Sequence, residues 1–190
     1  MHNYLPYLGL VFGWLLFGAI HSLLATQQVK KKIGLSELQH RRLYNVTSML
    51  LLLALLIFGA TINRTYFLAN SKANKAIGLM VATFGYLLIK MAFKQISFKG
   101  FLGITEDENT ELITTGIYAR MRHPLYTATI LLVIGFAIFN PTLTNLGHVI
   151  CAIIYIIVGT YFEEKKLVKT FGEQYEKYKM ETPMLFPKLR

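Results

Sequence analysis

Charge is missing from long stretches of this 190-residue chain, and that distribution constrains the fold more than any motif does. No Lys, Arg, Asp or Glu occurs before Lys30, none between Arg42 and Arg64, and none from Pro124 to Phe162. A helix crosses a hydrocarbon core with roughly 20 apolar residues. The first two stretches fit one span each. The third is too long for one and is broken by Asn140-Pro141-Thr142. Proline lacks a backbone donor and disfavours helix at the residue before it, so two spans joined by a tight turn are expected. A further span over 76–93 carries Lys90 near one end, where a long side chain reaches the headgroups.

The expected fold is therefore all-α: one membrane domain over 1–190 with five spans, at about 4–24, 43–62, 76–93, 125–139 and 143–162. A soluble helical protein is disfavoured, because uncharged Leu/Ile-rich runs of this length offer no wet face. No Lys or Arg precedes the first run, so it reads as a retained span rather than a cleaved leader. Basic residues cluster after spans one, three and five, including Lys188 and Arg190 at the terminus, whereas Arg64, Lys72 and Lys75 stand between spans two and three. The positive-inside rule then puts the N-terminus outside and the C-terminus in the cytoplasm, in a bilayer expected to be a bacterial inner membrane. The net charge of +10 reads as topology and attraction to anionic lipid, not as a nucleic-acid surface. The single Cys151 allows no internal disulfide, and no metal-ligand spacing is visible. Nothing fixes an oligomeric state.

Two clusters could carry chemistry. The first is Gly116-Ile117-Tyr118-Ala119-Arg120-Met121-Arg122-His123-Pro124-Leu125-Tyr126. Pro124 suits a first helical turn, which would leave the N–H groups of the helix start facing the site beside Arg122 and His123, ready for a carboxylate. A basic helix end set by topology is the plainer reading of Arg122 and His123 taken alone. The second cluster is Glu163-Glu164, Leu167, Phe171-Gly172, Tyr175 and Tyr178. Glu163, Leu167 and Phe171 share one helical face at four-residue steps. A solvated helix end is the plainer reading of either Glu alone. Spans four and five form a hairpin, so both clusters emerge at one membrane level. Cationic groups, carboxylates and aromatic rings together match the parts of S-adenosylmethionine.

At these residues the chain resembles the isoprenylcysteine carboxyl methyltransferase superfamily, which also takes in phospholipid N-methyltransferases. Leu112, Gly116-Ile117-Tyr118, Arg122-His123-Pro124-Leu125-Tyr126, Glu163-Glu164, Leu167, Phe171-Gly172, Tyr175 and Tyr178 carry the resemblance over about 80 C-terminal residues. It implies that Leu112, Gly116, Ile117, Tyr118, His123, Pro124, Leu125, Tyr126 and Glu163 contact S-adenosylmethionine. The carboxyl methyltransferase has an Arg one turn before that Glu, where this chain has Gly159. Phe17-Gly18-Ala19-Ile20-His21-Ser22-Leu23-Leu24-Ala25 and Arg42-Leu43-Tyr44 look instead like bacterial methanethiol S-methyltransferases and their denitrification-associated membrane relatives. The resemblance implies methyl transfer to a small or lipid-soluble acceptor, most naturally a thiol or a prenylcysteine-like group, with Arg122 and His21 as catalytic candidates. His21 would be the base for an acceptor that must lose a proton; an interhelical hydrogen bond is its alternative role.

Two other classes compete. Membrane sterol reductases that use NADPH share a similar Arg-His-Pro-x-Tyr pattern with an acidic C-terminal partner. They usually carry Asn where this chain has Leu125 and Trp where it has Tyr175. A non-enzymatic membrane scaffold would leave Arg122, His123 and Glu163 free to vary.

Overall fold

The computed structural model describes residues 4–105 and 111–187; Lys188 and Arg190, used above for orientation, lie outside them. The described chain is helical: α1 Leu5–Leu24, α2 Gln27–Ile33, α3 Glu37–Thr61, α4 Lys72–Ala92, α5 Phe98–Phe101, a 3-10 turn at Gly116–Ala119, α6 Pro124–Phe139, α7 Leu143–Phe171 and α8 Glu173–Glu181. Helices α1, α3, α4 and α7 are long and apolar enough to cross a membrane. Most of their apolar side chains point outward, including Leu8, Phe12, Leu53, Ile57, Phe84 and Ile154. Such a surface is stable only against lipid or another apolar partner. Helix α6 has 16 residues, roughly 24 Å by helical rise, and is the shorter apolar helix of the set.

The helix limits differ from the charge-free windows for identifiable reasons. Helix α3 starts six residues before the expected span because Ser36 caps it: its hydroxyl accepts from the Gln39 N–H while the Gln39 side chain accepts from the Ser36 N–H. Ser71 caps α4 by accepting from the Asn74 N–H, so α4 begins in charged sequence at Lys72. Helix α7 runs past its apolar part through Glu163 and Leu167 to Phe171. Gly172, at φ 56°, then ends it. A side chain is strained in that region, and the turn sends α8 back over the bundle.

Helices α4 and α6 pack antiparallel at backbone contact. A Cβ on Gly78 would lie 2.4 Å from the Phe139 amide nitrogen, and one on Gly135 would lie 2.6 Å from the Ala82 nitrogen. Small residues at such a crossing let dispersion forces hold helices together where lipid supplies no hydrophobic drive. Around α1, Leu10, Phe17, Leu55 and Ile62 form a second buried cluster, with Trp14 and Tyr155 against it. At one end of the bundle, the loop after α3 is tied to the α6–α7 turn by Leu143 N–H to Thr65 C=O (2.8 Å) and Phe67 N–H to Pro141 C=O (3.0 Å). The two clusters of interest lie at the other end.

The packing makes opposite demands on two glycines. Gly78→Ala should destabilise the protein by about 1–3 kcal/mol through overpacking. A Cβ on Gly159 meets nothing within 4 Å, so Gly159→Ala should leave thermal stability unchanged or slightly raised. Unfolding midpoints in one detergent check both; equal effects would contradict the tight α4–α6 crossing.

Candidate functional site at the mouth of the bundle

The site is assembled by the C-terminal segment folding back onto the start of α6. The Arg122 N–H donates to the Pro183 carbonyl (2.9 Å) and the His123 N–H to the Met184 carbonyl (3.1 Å). The Thr127 hydroxyl donates to the Leu185 carbonyl, and Leu185 is buried with Ile130 and Ile156. The Tyr178 hydroxyl donates to the Tyr118 carbonyl (2.5 Å). The apolar Met184-Leu185 pair is thus packed against α6 and α7.

Glu164 stands at the centre of this clasp. Its Oε1 accepts from the Arg122 Nε (2.7 Å) and Nη2, lies 3.2 Å from the His123 Nε2, and accepts from the Tyr175 hydroxyl (3.4 Å). Arg122 also donates through Nη1 to the carbonyls of Lys179 and Thr182. The Arg122 and Glu164 side chains are only 7% and 11% exposed. A buried charge of either sign would be costly alone. Together they satisfy each other with charge-assisted bonds.

Glu163 has a different environment. Its Oε2 accepts from the Tyr126 hydroxyl and lies 3.9 Å from the His123 Nδ1. The His123 and Tyr126 rings stack, with centroids 5.5 Å apart and planes 15° from parallel. The Glu163 side chain remains 41% exposed and lines the cavity. The nearby phenols stay neutral donors: burial, then the Glu163 charge, pushes Tyr118 up to about 12; burial, then the Glu164 charge, pushes Tyr175 up to about 12.

A cavity of about 730 Å³ opens here, within the size range of small-molecule sites. Leu112, Tyr118, Arg122, His123, Pro124, Leu125, Tyr126 and Glu163 line it, as do Leu167, Phe171, Tyr175 and Tyr178. Gly116 and Ile117 are not among its lining residues. Ile117 is buried with Ala92 and Met121, and Gly116, at φ 61°, turns the chain against the Gln95 side chain. The free donors expected at the start of α6 are largely committed as well: the His123 carbonyl takes the N–H groups of Tyr126 and Thr127, both at 3.1 Å, while tail carbonyls take those of Arg122 and His123.

The same cavity takes in the first half of the chain. His21 from α1 sits between two phenols, with the Tyr44 hydroxyl 2.7 Å from its Nε2 and the Tyr155 hydroxyl 2.6 Å from its Nδ1. All three line the same cavity, along with Ser48 and Gly159. Tyr44 was visible in the sequence as part of Arg42-Leu43-Tyr44. Tyr155 was not singled out, although it lies eight residues before Glu163 on the same four-residue stripe of α7. Helical spacing set Glu163 on the inward stripe, but it did not show that Glu164 is held by Arg122.

The phospholipid methyltransferase family matches residues 73–174, from the start of α4 into the first turn of α8. Methanethiol S-methyltransferase from a Pseudomonas strain is 30% identical over 192 residues, covering 91% of this chain and 70% of the relative. Protein-S-isoprenylcysteine O-methyltransferase B of Arabidopsis thaliana is 29% identical over 168 residues, covering 82% and 79%. The corresponding Rattus norvegicus O-methyltransferase is 32% identical over 122 residues, covering 59% and 40%. As the resemblance at Arg122-His123-Pro124-Leu125-Tyr126 and Glu163-Glu164 implied, the chain belongs to the phospholipid methyltransferase family, in the superfamily that also holds the isoprenylcysteine carboxyl methyltransferases.

Proposed function

We propose that this protein is a membrane methyltransferase that uses S-adenosylmethionine to methylate a thiol or prenylcysteine-like acceptor at the mouth of the bundle. The observation that carries the reading is one cavity with two chemically different sets of groups. A carboxylate and aromatic rings line it together with an imidazole held between phenols. The relatives' names, methanethiol S-methyltransferase and isoprenylcysteine O-methyltransferase, support methyl transfer over reduction or a scaffold role.

The residues present fit the donor. Glu163 offers a half-exposed carboxylate for an ammonium or for ribose hydroxyls, and Tyr126 holds it in place. Tyr118 and Phe171 offer flat faces for a purine; Leu112, Leu125 and Leu167 keep water away. When bound, S-adenosylmethionine supplies a methyl group made electrophilic by its sulfonium. The protein's work is then to align donor and acceptor and exclude water. Arg122 acts as a positioning residue, since its guanidinium is spent on Glu164 and the tail. His123 orients both carboxylates from between them.

The same reading sets the membrane arrangement. Helix α6, sheltered along α4, completes five crossings. Basic residues crowd the end that carries the site, whereas Arg64, Lys72 and Lys75 stand at the other. This supports a cytoplasmic site with the N-terminus outside, in a bacterial inner membrane. In a Cys151→Ser background, Leu68→Cys should react with a membrane-impermeant maleimide in intact spheroplasts. Lys177→Cys should react only after lysis, and the reverse pattern would contradict the orientation.

Binding tests the cofactor. In detergent, S-adenosylmethionine or S-adenosylhomocysteine at about 100 times its dissociation constant should add about 2.7 kcal/mol to stability; no shift with either would contradict the reading. The two adjacent carboxylates should then separate. Glu163→Gln should weaken binding about tenfold to a hundredfold, the worth of a hydrogen bond to a charged group, with unliganded stability retained. Glu164→Gln should cost about 3–5 kcal/mol of stability, as expected when one partner of a buried ion pair is removed.

A further inference from the structure

The same cavity carries groups that holding the methyl donor does not require. His21, Tyr44 and Tyr155 come from α1, α3 and α7, and meet at 2.7 and 2.6 Å on the two ring nitrogens of His21. Ser22 adds a hydroxyl 3.5 Å from that of Tyr155. A neutral imidazole has one N–H and one lone pair. Held between two hydroxyls, it accepts a hydrogen bond from one phenol and donates one to the other. Neither nitrogen is left bare toward the cavity, so a proton entering from substrate passes through a tyrosine oxygen, and both tyrosines line the cavity. Gly159 adds space on the same helix one turn beyond Tyr155, with nothing within 4 Å of where a Cβ would stand.

We propose that Tyr44, His21 and Tyr155 form the proton-accepting wall of this site, and that the acceptor is therefore a thiol rather than a carboxylate. The inference rests on the methyltransferase reading above. An alkanethiol, like the cysteine thiol with its pKa of about 8.5, is mostly protonated near neutrality, and the thiolate is the nucleophile. A carboxylate acceptor arrives ionised and needs a fixed cation instead of a base. In the step, the thiol S–H bond breaks and its proton goes to the oxygen of the tyrosine that donates to the imidazole. That tyrosine's own proton moves onto the ring nitrogen. The thiolate sulfur forms a bond to the methyl carbon, and the carbon–sulfonium bond breaks with its electron pair staying on the departing sulfur. The imidazolium then returns its proton to water through the same hydroxyl.

The test compares two thiols on the purified full-length protein: propanethiol, which must be deprotonated, and para-nitrothiophenol, which is already ionised at neutral pH. His21→Gln should lower turnover of propanethiol on the order of 100-fold, the scale of a lost general base, and of para-nitrothiophenol by about threefold or less. At least one of Tyr44→Phe and Tyr155→Phe should show the same selectivity. S-adenosylhomocysteine affinity, read by calorimetry, should be unchanged in all three. Equal losses on both thiols would make the cluster an interhelical tie and overturn the proposal. Wild-type turnover of S-farnesyl-cysteine but of neither thiol would also overturn it, while leaving the methyltransferase reading intact. Failure of the wild type to bind S-adenosylhomocysteine would instead remove the reading on which it rests.

Discussion

A single carboxylate oxygen, Glu164 Oε1, joins three parts of the chain at the membrane mouth. It takes bonds from Arg122 ahead of α6 and from Tyr175 on α8, with His123 within hydrogen-bond reach, while its own backbone belongs to α7. Apart from α7, the contributing segments are too polar or too short to hold themselves against a bilayer. The loop before α6 is irregular, and α8 carries Glu173, Glu176, Lys177 and Lys179. Burying a charge there is tolerable only because the countercharge and further donors are delivered to it. The cavity exists because this clasp keeps the tail against the start of α6 rather than in water.

The clasp also explains why neighbouring residues of like type do different work. Successive residues on a helix point about 100° apart. Glu164 therefore turns toward the tail and is buried, while Glu163 turns toward the cavity and stays half exposed. The His123 ring spans both, with one nitrogen near each carboxylate. Strain or loss in the buried half would be felt in the half that faces the cavity. The first half of the chain supplies the remaining wall, and there the tie between α1, α3 and α7 runs through His21 rather than through carboxylates.

Much of this was legible in the sequence where the signal was a property of the solvent. Charge-free windows report contact with lipid, so they located α1, α3 and the α6–α7 hairpin, including the break at Asn140-Pro141, while α4 was read from an apolar run that carries Lys90. They misplaced helix limits wherever the backbone continued into water: Ser36 and Ser71 caps start α3 and α4 early, and α7 continues to Phe171. The inward stripe Glu163, Leu167, Phe171 followed from periodicity and does face the cavity. The commitment of Arg122 to Glu164 was not legible, because its partners include the Lys179 and Thr182 carbonyls, and backbone groups leave no trace in a sequence. Ile117 lies in a motif yet packs in the core with Ala92 and Met121, a reminder that motif membership does not separate contact from support.

The central claim is that the clasped ends of α6 and α7 enclose one cofactor facing the His21 wall. An experimental structure of the protein in a lipid nanodisc with S-adenosylhomocysteine tests it most directly. The account predicts ligand density between Tyr118, Tyr126 and Glu163, with its sulfur directed toward Tyr44 and Tyr155. Density at another surface, or a cavity that stays empty at saturating ligand, would contradict it.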